Sequence, residues 1–216
     1  PDVVSLSNAL LVGLARKIKT ELAVPVVCSL QGEDAFLDTL PQPQSIQAWQ
    51  ALLDRARDVD AFIPCSRYYA DVMTRRLDLP ANRVHVVHNG IELNGFGPPP
   101  PSPQPPAVGY LARMCHAKGL DTLAAAFVIL KQRGRIEQLK LQVIGACTAA
   151  DQPFVNQVKQ RLADGRVLQD VTFYPNVSFD RKVELLHTLS VLSVPATYGE
   201  AFGLYVLEAL AAGVPV

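Results

Sequence analysis

The sequence predicts an α/β protein built as two parallel-sheet domains. Apolar strand runs alternate with helical patterns along the 216 residues, a proline-rich break interrupts the alternation once, and the alternation restarts beyond it. Repeated strand–helix units imply parallel sheets with helical crossovers covering both faces. Ligands of such folds sit beyond the carboxyl ends of the strands.

In the first half, residues 2–5 read as a short strand and about 8–20 as a helix. Residues 24–30 (VPVVCSL) form a continuous apolar run, as expected for a strand buried on both faces. Residues 31–43 read as a polar loop. The next helix places Ile46, Trp49, Leu53 and Ala56 at spacings of three and four. Residues 61–64 are a strand, and Ser66 is placed to cap a helix carrying Tyr69, Val72, Met73 and Arg76 on one face. Residues 83–87 read as a further strand ending in the turn signal His88-Asn89-Gly90.

Residues 98–106 then hold seven prolines in nine positions. Such a segment lacks sheet donors and extends as polyproline II at about 3.1 Å per residue, a semi-rigid spacer. An interdomain linker and a proline-rich partner motif both fit the composition; the resumed alternation favours the linker. The expected domains are therefore 1–97 and 107–216. In the second, strands are expected at 108–112, 140–144, 171–174 and 191–194, and helices at 153–163 and 178–189, the latter with Val183, Leu186 and Leu189 inward. The loop 113–118 leads into another helix, with Leu120, Leu123, Ala124 and Phe127 inward. Loops 113–118 and 195–203 should share one rim.

Composition narrows the function classes. Lys+Arg and Asp+Glu each number 20, and 49% of residues are hydrophobic, which supplies a core and argues against a general nucleic-acid or anionic-membrane binder. Cys28, Cys65, Cys115 and Cys147 lie far apart with no zinc spacing, so they read as reduced thiols of a cytoplasmic protein. No run of 18 uncharged apolar residues suggests a membrane-spanning helix. Residue 1 opens directly into a strand pattern and Val216 stops as another begins. The expectation is a fragment in which both domains are incomplete, with little turnover of its own.

The closing stretch, 198–216, concentrates the chemistry. Residues 204–212 read as an apolar helix interrupted by Glu208, with Gly213 and Pro215 as stop signals. Glu200 stands in the glycine-flanked turn that opens it, and Gly203 allows close approach. Two readings fit: a polar ligand held against that helix end, or Glu200 complementing the helix dipole while Glu208 pairs with a core arginine. Arg113 and Lys118, in a loop that starts a helix, could grip phosphate oxygens with the backbone N–H groups at 202–204, or could be solvated loop cations. Asp58 and Asp60 have metal-binding spacing but read as helix-end and turn residues, and GxGxxG is absent, which disfavours hydride transfer.

Glu200-Ala-Phe-Gly-Leu with Glu208, followed by Ala-Ala-Gly-Val-Pro-Val, resembles the E-x7-E signature of retaining glycosyltransferases of family 4. Gly109-Tyr-Leu-Ala-Arg113 with Lys118-Gly119 resembles the family's donor-phosphate segment, and Val86-Val-His-Asn89-Gly90-Ile the close of its acceptor domain. The resemblance implies the GT-B fold, two facing Rossmann-like domains with the active site in the cleft between. It implies transfer of a sugar from a nucleoside diphosphate, UDP or GDP, with retained configuration and no metal or separate cofactor. Arg113 and Lys118 would hold the diphosphate and stabilise its developing charge. Glu200 would meet the sugar hydroxyls, the N–H groups of Phe202, Gly203 and Leu204 the sugar or phosphate, and Glu208 the ribose. Family members are usually cytoplasmic, sometimes attached to the inner membrane face; the acceptor is unspecified.

One position departs from the family pattern. The family often has a His after the strand at 24–30; this sequence has Gln31, followed by Glu33 and Asp34. Gln31 can position a hydroxyl but cannot relay a proton at neutral pH. The polar help could instead come from Glu33 or Asp34, or this could be an exposed acidic turn. His116 lies in the phosphate loop and could touch the donor, His88 offers a weaker signal, and His85 and His187 read as structural. Gln31 also leaves open a non-catalytic nucleotide-sugar-binding or scaffolding protein on the same fold. A phosphorylase or epimerase of that fold fits the Arg113, Lys118 and E-x7-E set less well.

Overall fold

The structure, a computed structural model, describes residues 1–97 and 105–216. Most of the expected linker, 98–104, lies outside the described residues. Internal contacts divide the chain into a first unit, 1–90 with 200–202, and a second, 91–199 with 203–216. The first unit is thus shorter than the expected 1–97. Ile91 and Phe96 account for the difference, because both pack into an apolar cluster of the second unit.

In the first unit, β1 (Val4–Leu6) leads through a 3-10 segment (Ala9–Leu14) into α1 (Ala15–Leu22). Asn8 Oδ1 accepts the Leu10 N–H at 3.0 Å, which caps that segment. Then follow β2 (Val26–Leu30), α2 (Glu33–Leu37), α3 (Gln44–Ala56), β3 (Ala61–Pro64) and α4 (Arg67–Leu77). The sheet order is β1-β2-β3, all parallel, with Cys28 opposite Leu6 and Phe62. Ser66 caps α4 as expected, its Oγ accepting the Tyr69 N–H at 3.0 Å.

Four details differ from the sequence expectation. Along β2, Val26, Cys28 and Leu30 are sealed while Val27 and Ser29 are half-buried, so only one face is fully covered. Residues 31–43 contain α2, too short to show an amphipathic period. On α3 the buried positions are Ser45, Leu52 and Ala56, whereas Ile46 is 64% exposed. Ser45 takes the inner place because its hydroxyl donates to the Leu37 carbonyl at 2.9 Å. The expected strand at 83–87 reduces to one bridge, Val84 to Phe62, after a 3-10 turn at Ala81–Arg83. His85 N–H and Val87 N–H still donate to the carbonyls of Phe62 and Pro64, at 2.9 and 3.1 Å.

The second unit contains β4 (Ala107–Leu111), α5 (Leu120–Arg133), β5 (Lys140–Gly145), α6 (Gln152–Asp164), β6 (Val171–Pro175), α7 (Phe179–Leu186), β7 (Val191–Leu192) and α8 (Leu204–Ala211). Its parallel sheet runs β6-β5-β4-β7. Successive strand residues point to opposite faces, and here they enter different clusters. Tyr110 and Val143 pack with Leu120, Phe127 and Leu162. Leu111 and Ile144 pack with Val183, Leu186 and Ala209. Helices α5 and α6 therefore cover one face, and α7 and α8 the other, as the alternating pattern implied.

Candidate functional site

β4 and β7 are neighbours, with Val108 opposite Val191 and Gly109 opposite Leu192, so the loops leaving them share one edge of the sheet. Thr197 ties those loops together: its N–H and its hydroxyl both donate to the Ala117 carbonyl at 3.1 Å. Gly119 makes the approach possible. It sits at φ +71°, and a Cβ there would lie 1.8 Å from the Pro195 carbonyl oxygen. The result fixes Lys118, whose Nζ lies 4.9 Å from the Tyr198 ring centroid and 5.5 Å from that of Tyr205. A small cavity of about 10 Å³ opens there, with Tyr110, Ala112, Lys118, Ser193, Pro195 and Tyr205 among its lining.

Arg113 is anchored rather than loose. Its Nε lies 3.1 and 3.2 Å from the two carboxylate oxygens of Asp151, and Nη2 lies 3.0 Å from Oδ1. Asp151 is buried and also accepts from the Thr148 N–H at 2.8 Å and the Thr148 hydroxyl at 2.6 Å, closing a capping box. The Thr148 hydroxyl above all, then Arg113 and the Thr148 N–H, hold the Asp151 pKa down at about 2. The Arg113 side chain is 54% exposed, so its remaining N–H groups face outward. His116 Nδ1 lies 2.9 Å from Asp121 Oδ2, and its ring stands edge-on to Phe154.

Glu208 was expected to need a ribose to satisfy its burial, or else a core arginine. Neither is required: Lys182 Nζ lies 2.7 Å from Glu208 Oε1, with both side chains about one-fifth exposed, 21% and 19%. α8 opens at Gly203, φ +82°, and Leu204 is half-exposed beside it. Gly213 follows the helix at φ +74°, as expected of a helix stop, and the Val214 N–H closes onto Ala209 at 2.9 Å.

In the first unit Glu33 of the acidic turn is buried and fully engaged, while Asp34 is half-buried. Glu33 is 5% exposed. Its Oε1 accepts the Ala9 N–H at 2.8 Å, and its Oε2 accepts the N–H groups of Gln31 and Gly32 and the Tyr69 hydroxyl, at 2.9, 3.0 and 2.8 Å. Burial together with the Glu33 charge pushes the Cys28 thiol up to about 12, and raises the Tyr69 hydroxyl as well. Gln31 is exposed, and its Oε1 accepts from Asn89 Nδ2 at 3.3 Å. Asp58 and Asp60 pair with Arg16 at 3.1 Å and Lys19 at 2.7 Å.

The sequence-predicted residues fall into two sets. Arg113, Lys118, Gly203, Leu204 and Glu208 belong to the second unit; Gln31, Glu200 and Phe202 belong to the first. Loop 195–203, expected to share a rim with loop 113–118, is divided: residues 195–199 and Gly203 belong to the second unit, and residues 200–202 pack with the first. The Ser66 hydroxyl donates to the Ala201 carbonyl at 2.6 Å, and Ala201 and Phe202 join the first unit's core cluster. The Phe202 ring centroid lies 6.2 Å from that of His88. Burial, with the charges of Glu33 and Glu200 nearby, raises the Cys65 thiol pKa. Asp151, Lys182, Tyr198 and Tyr205 escaped the sequence reading. Only Asp151 left a signal, the Thr148-x-x-Asp151 capping pattern.

Among the described residues, no helix is long and apolar enough to cross a membrane. Residues 97–216 match the family described as Glycosyl transferases group 1, and residues 1–94 match Glycosyltransferase Family 4. A D-inositol 3-phosphate glycosyltransferase of Xylanimonas cellulosilytica is 28% identical over 82% of this chain and 44% of its own length. A glycogen synthase of Mycobacterium tuberculosis is 26% identical over 100% of this chain and 51% of its own. The chain spans about half the length of these relatives. Anabaena Alr3699/HepE, solved with UDP and glucose, superimposes at TM-score 0.81 with 17% identity, covering 100% of this chain and 58% of that one. Sucrose-phosphate synthase of Thermosynechococcus elongatus gives 0.80 with 20% identity, at 100% and 55% coverage. The fold is that of the GT-B glycosyltransferases.

Proposed function

Because the chain belongs to the glycosyl transferases group 1 family, we propose that it serves a retaining transfer of sugar from a nucleoside diphosphate to an acceptor hydroxyl, without a metal, in the cytoplasm. A UDP-sugar is the first donor to test, since the neighbouring fold of Alr3699/HepE was solved with UDP and with UDP-glucose. In the transfer, the bond from the sugar's anomeric carbon to the diphosphate oxygen breaks and its electron pair stays on that oxygen. The acceptor oxygen bonds the anomeric carbon from the same face, and its proton passes to the departing diphosphate. Lys118 and the outward N–H groups of Arg113 would meet the charge that grows on the diphosphate. Glu200 and the N–H groups of Phe202, Gly203 and Leu204 would meet the sugar and phosphate, Glu208 the ribose, and Gln31 an acceptor or sugar hydroxyl.

The observation that carries this reading is the built position of Lys118. It stands on the carboxyl edge of β4 and β7, held there by Gly119 against Pro195 and by Thr197 on Ala117. Thermal unfolding with UDP, GDP and ADP tests it. A bound diphosphate at 100-fold excess over its Kd adds about 2.7 kcal/mol. Lys118→Ala is expected to remove most of that shift, and an unchanged shift would refute the phosphate role. Transfer of labelled glucose from UDP-glucose by the full-length protein, with the product anomer read by NMR, tests retention.

A second reading, a non-catalytic nucleotide-sugar binder, draws on Gln31, whose amide is already bonded to Asn89. Nucleotide binding without transfer by the full-length protein would establish it.

A further inference from the structure

We propose that Lys182 is a positioning residue for the nucleotide. It holds Glu208 so that the free side of the carboxylate receives the vicinal hydroxyls of a ribose. The inference rests on the reading of Glu208 as the ribose partner, and adds the device that makes it one.

Glu208 projects from α8, whose other residues around it are Leu204, Val206, Leu207 and Ala209. A carboxylate held at 19% exposure on such a helix is costly to bury without a partner. Lys182, from α7, supplies that partner at 2.7 Å. The ammonium is itself held from a second side, 5.0 Å from the Phe179 ring centroid. It engages Oε1 only; Oε2 accepts no hydrogen bond from the described residues. An ionised carboxylate has about four acceptor positions, so Oε2 can take two hydroxyls while Lys182 keeps its place. The direction is set by α8. Tyr205, three residues before Glu208 and hence on the same helix face, lies with its ring 5.5 Å from Lys118 Nζ. The carboxylate and the ring that faces the proposed phosphate cation are thus carried on one face of one helix. Hydrogen bonds to a carboxylate are roughly twice as strong as neutral ones, so a lysine that holds Glu208 in place governs how well ribose is told from its deoxygenated analogue.

The test compares Kd values for UDP and 2′,3′-dideoxy-UDP by calorimetry on the wild-type chain, Lys182→Met, Lys182→Arg and Glu208→Gln. Wild type is expected to prefer UDP by about ten-fold or more, the size of one charge-assisted hydrogen bond. Lys182→Met keeps the aliphatic stem but not the charge. It should bring the preference close to one, as Glu208→Gln does, while leaving dideoxy-UDP affinity nearly unchanged. Lys182→Arg should retain most of the preference. Equal weakening of both ligands by Lys182→Met would mean a merely structural ion pair and overturn the inference, as would an intact preference. If Lys182→Met does not fold, Lys182→Gln carries the same comparison. A wild-type chain that binds UDP without preferring it to the dideoxy form refutes the ribose role of Glu208, and the inference with it. A chain that binds none of UDP, GDP and ADP refutes the wider reading.

Discussion

Replacing Glu33 removes the acceptor of three backbone N–H groups and one hydroxyl at once. The donors are Ala9, Gln31, Gly32 and Tyr69, at 2.8, 2.9, 3.0 and 2.8 Å, around a side chain 5% exposed. A buried donor left without a partner costs about 1–3 kcal/mol, and water entering the vacated space recovers part of that, so Glu33→Ala should cost about 3–5 kcal/mol. At about 2–4 °C per kcal/mol for a chain of this size, the melting temperature should fall by roughly 10 °C. Glu33→Gln is the discriminating control. Its carbonyl can stay at the Oε2 position, which serves three donors, while its amide opposes only the Ala9 N–H. The cost should be about 1–2 kcal/mol. The chain has one tryptophan, Trp49, and it packs against the first unit's core. Urea unfolding followed by its fluorescence therefore reports on the unit concerned. A Glu33→Ala variant within about 1 kcal/mol of wild type would refute the accounting, since that is the value of a single ordinary hydrogen bond. A Glu33→Gln variant as damaged as the alanine would show that charge, not bond count, matters.

Other outcomes follow from the second unit and from α4. The Asp151 carboxyl is depressed from 3.8 to about 2, so its stabilisation is fully present above about pH 4 and is lost as pH falls towards 2. The stability difference between wild type and Asp151→Asn, read from urea melts at pH 2 to 5, should shrink across that window; a constant difference would contradict the shift. Gly119→Ala places a Cβ 1.8 Å from the Pro195 oxygen at φ +71°, and should cost more than about 3 kcal/mol by thermal unfolding. A near-neutral result would mean that the two loops are not held together. Ser66→Ala loses the cap on the Tyr69 N–H and the bond to the Ala201 carbonyl, and should cost about 1–2 kcal/mol. Hydrogen exchange at the first turn of α4 should quicken; unchanged protection there would argue against the cap.

What could be read along the chain was whatever is encoded locally. Strand runs such as VVCSL in β2, the Ser66 cap and the Gly213 stop each depend on a few adjacent residues, and each emerged in its expected place. The buried stripe of α5, with Leu120, Leu123, Ala124 and Phe127, followed from periodicity alone. Periodicity misled on α3, where a serine with a tertiary hydrogen bond displaced Ile46 from the inner face. It also failed on α2, whose five residues are fewer than two helical turns.

Glu200 and Glu208 stand out in the sequence, as charges in a glycine-flanked turn and an apolar helix, and its motif resemblance joins Arg113 and Lys118 to them. Only the tertiary structure decided their partners. Asp151 lies 38 positions from Arg113, Lys182 lies 26 from Glu208, and Ala201 lies 135 from the Ser66 hydroxyl that holds it. An ion pair or hydrogen bond acts over a few ångströms in space, whatever the distance along the chain. Within the second unit the strand order β6-β5-β4-β7 sets the partners of Arg113 and Glu208, and within the first the packing of residues 200–202 sets that of Ser66. The sequence marks Glu208 as a costly charge; the fold sets Lys182 beside it.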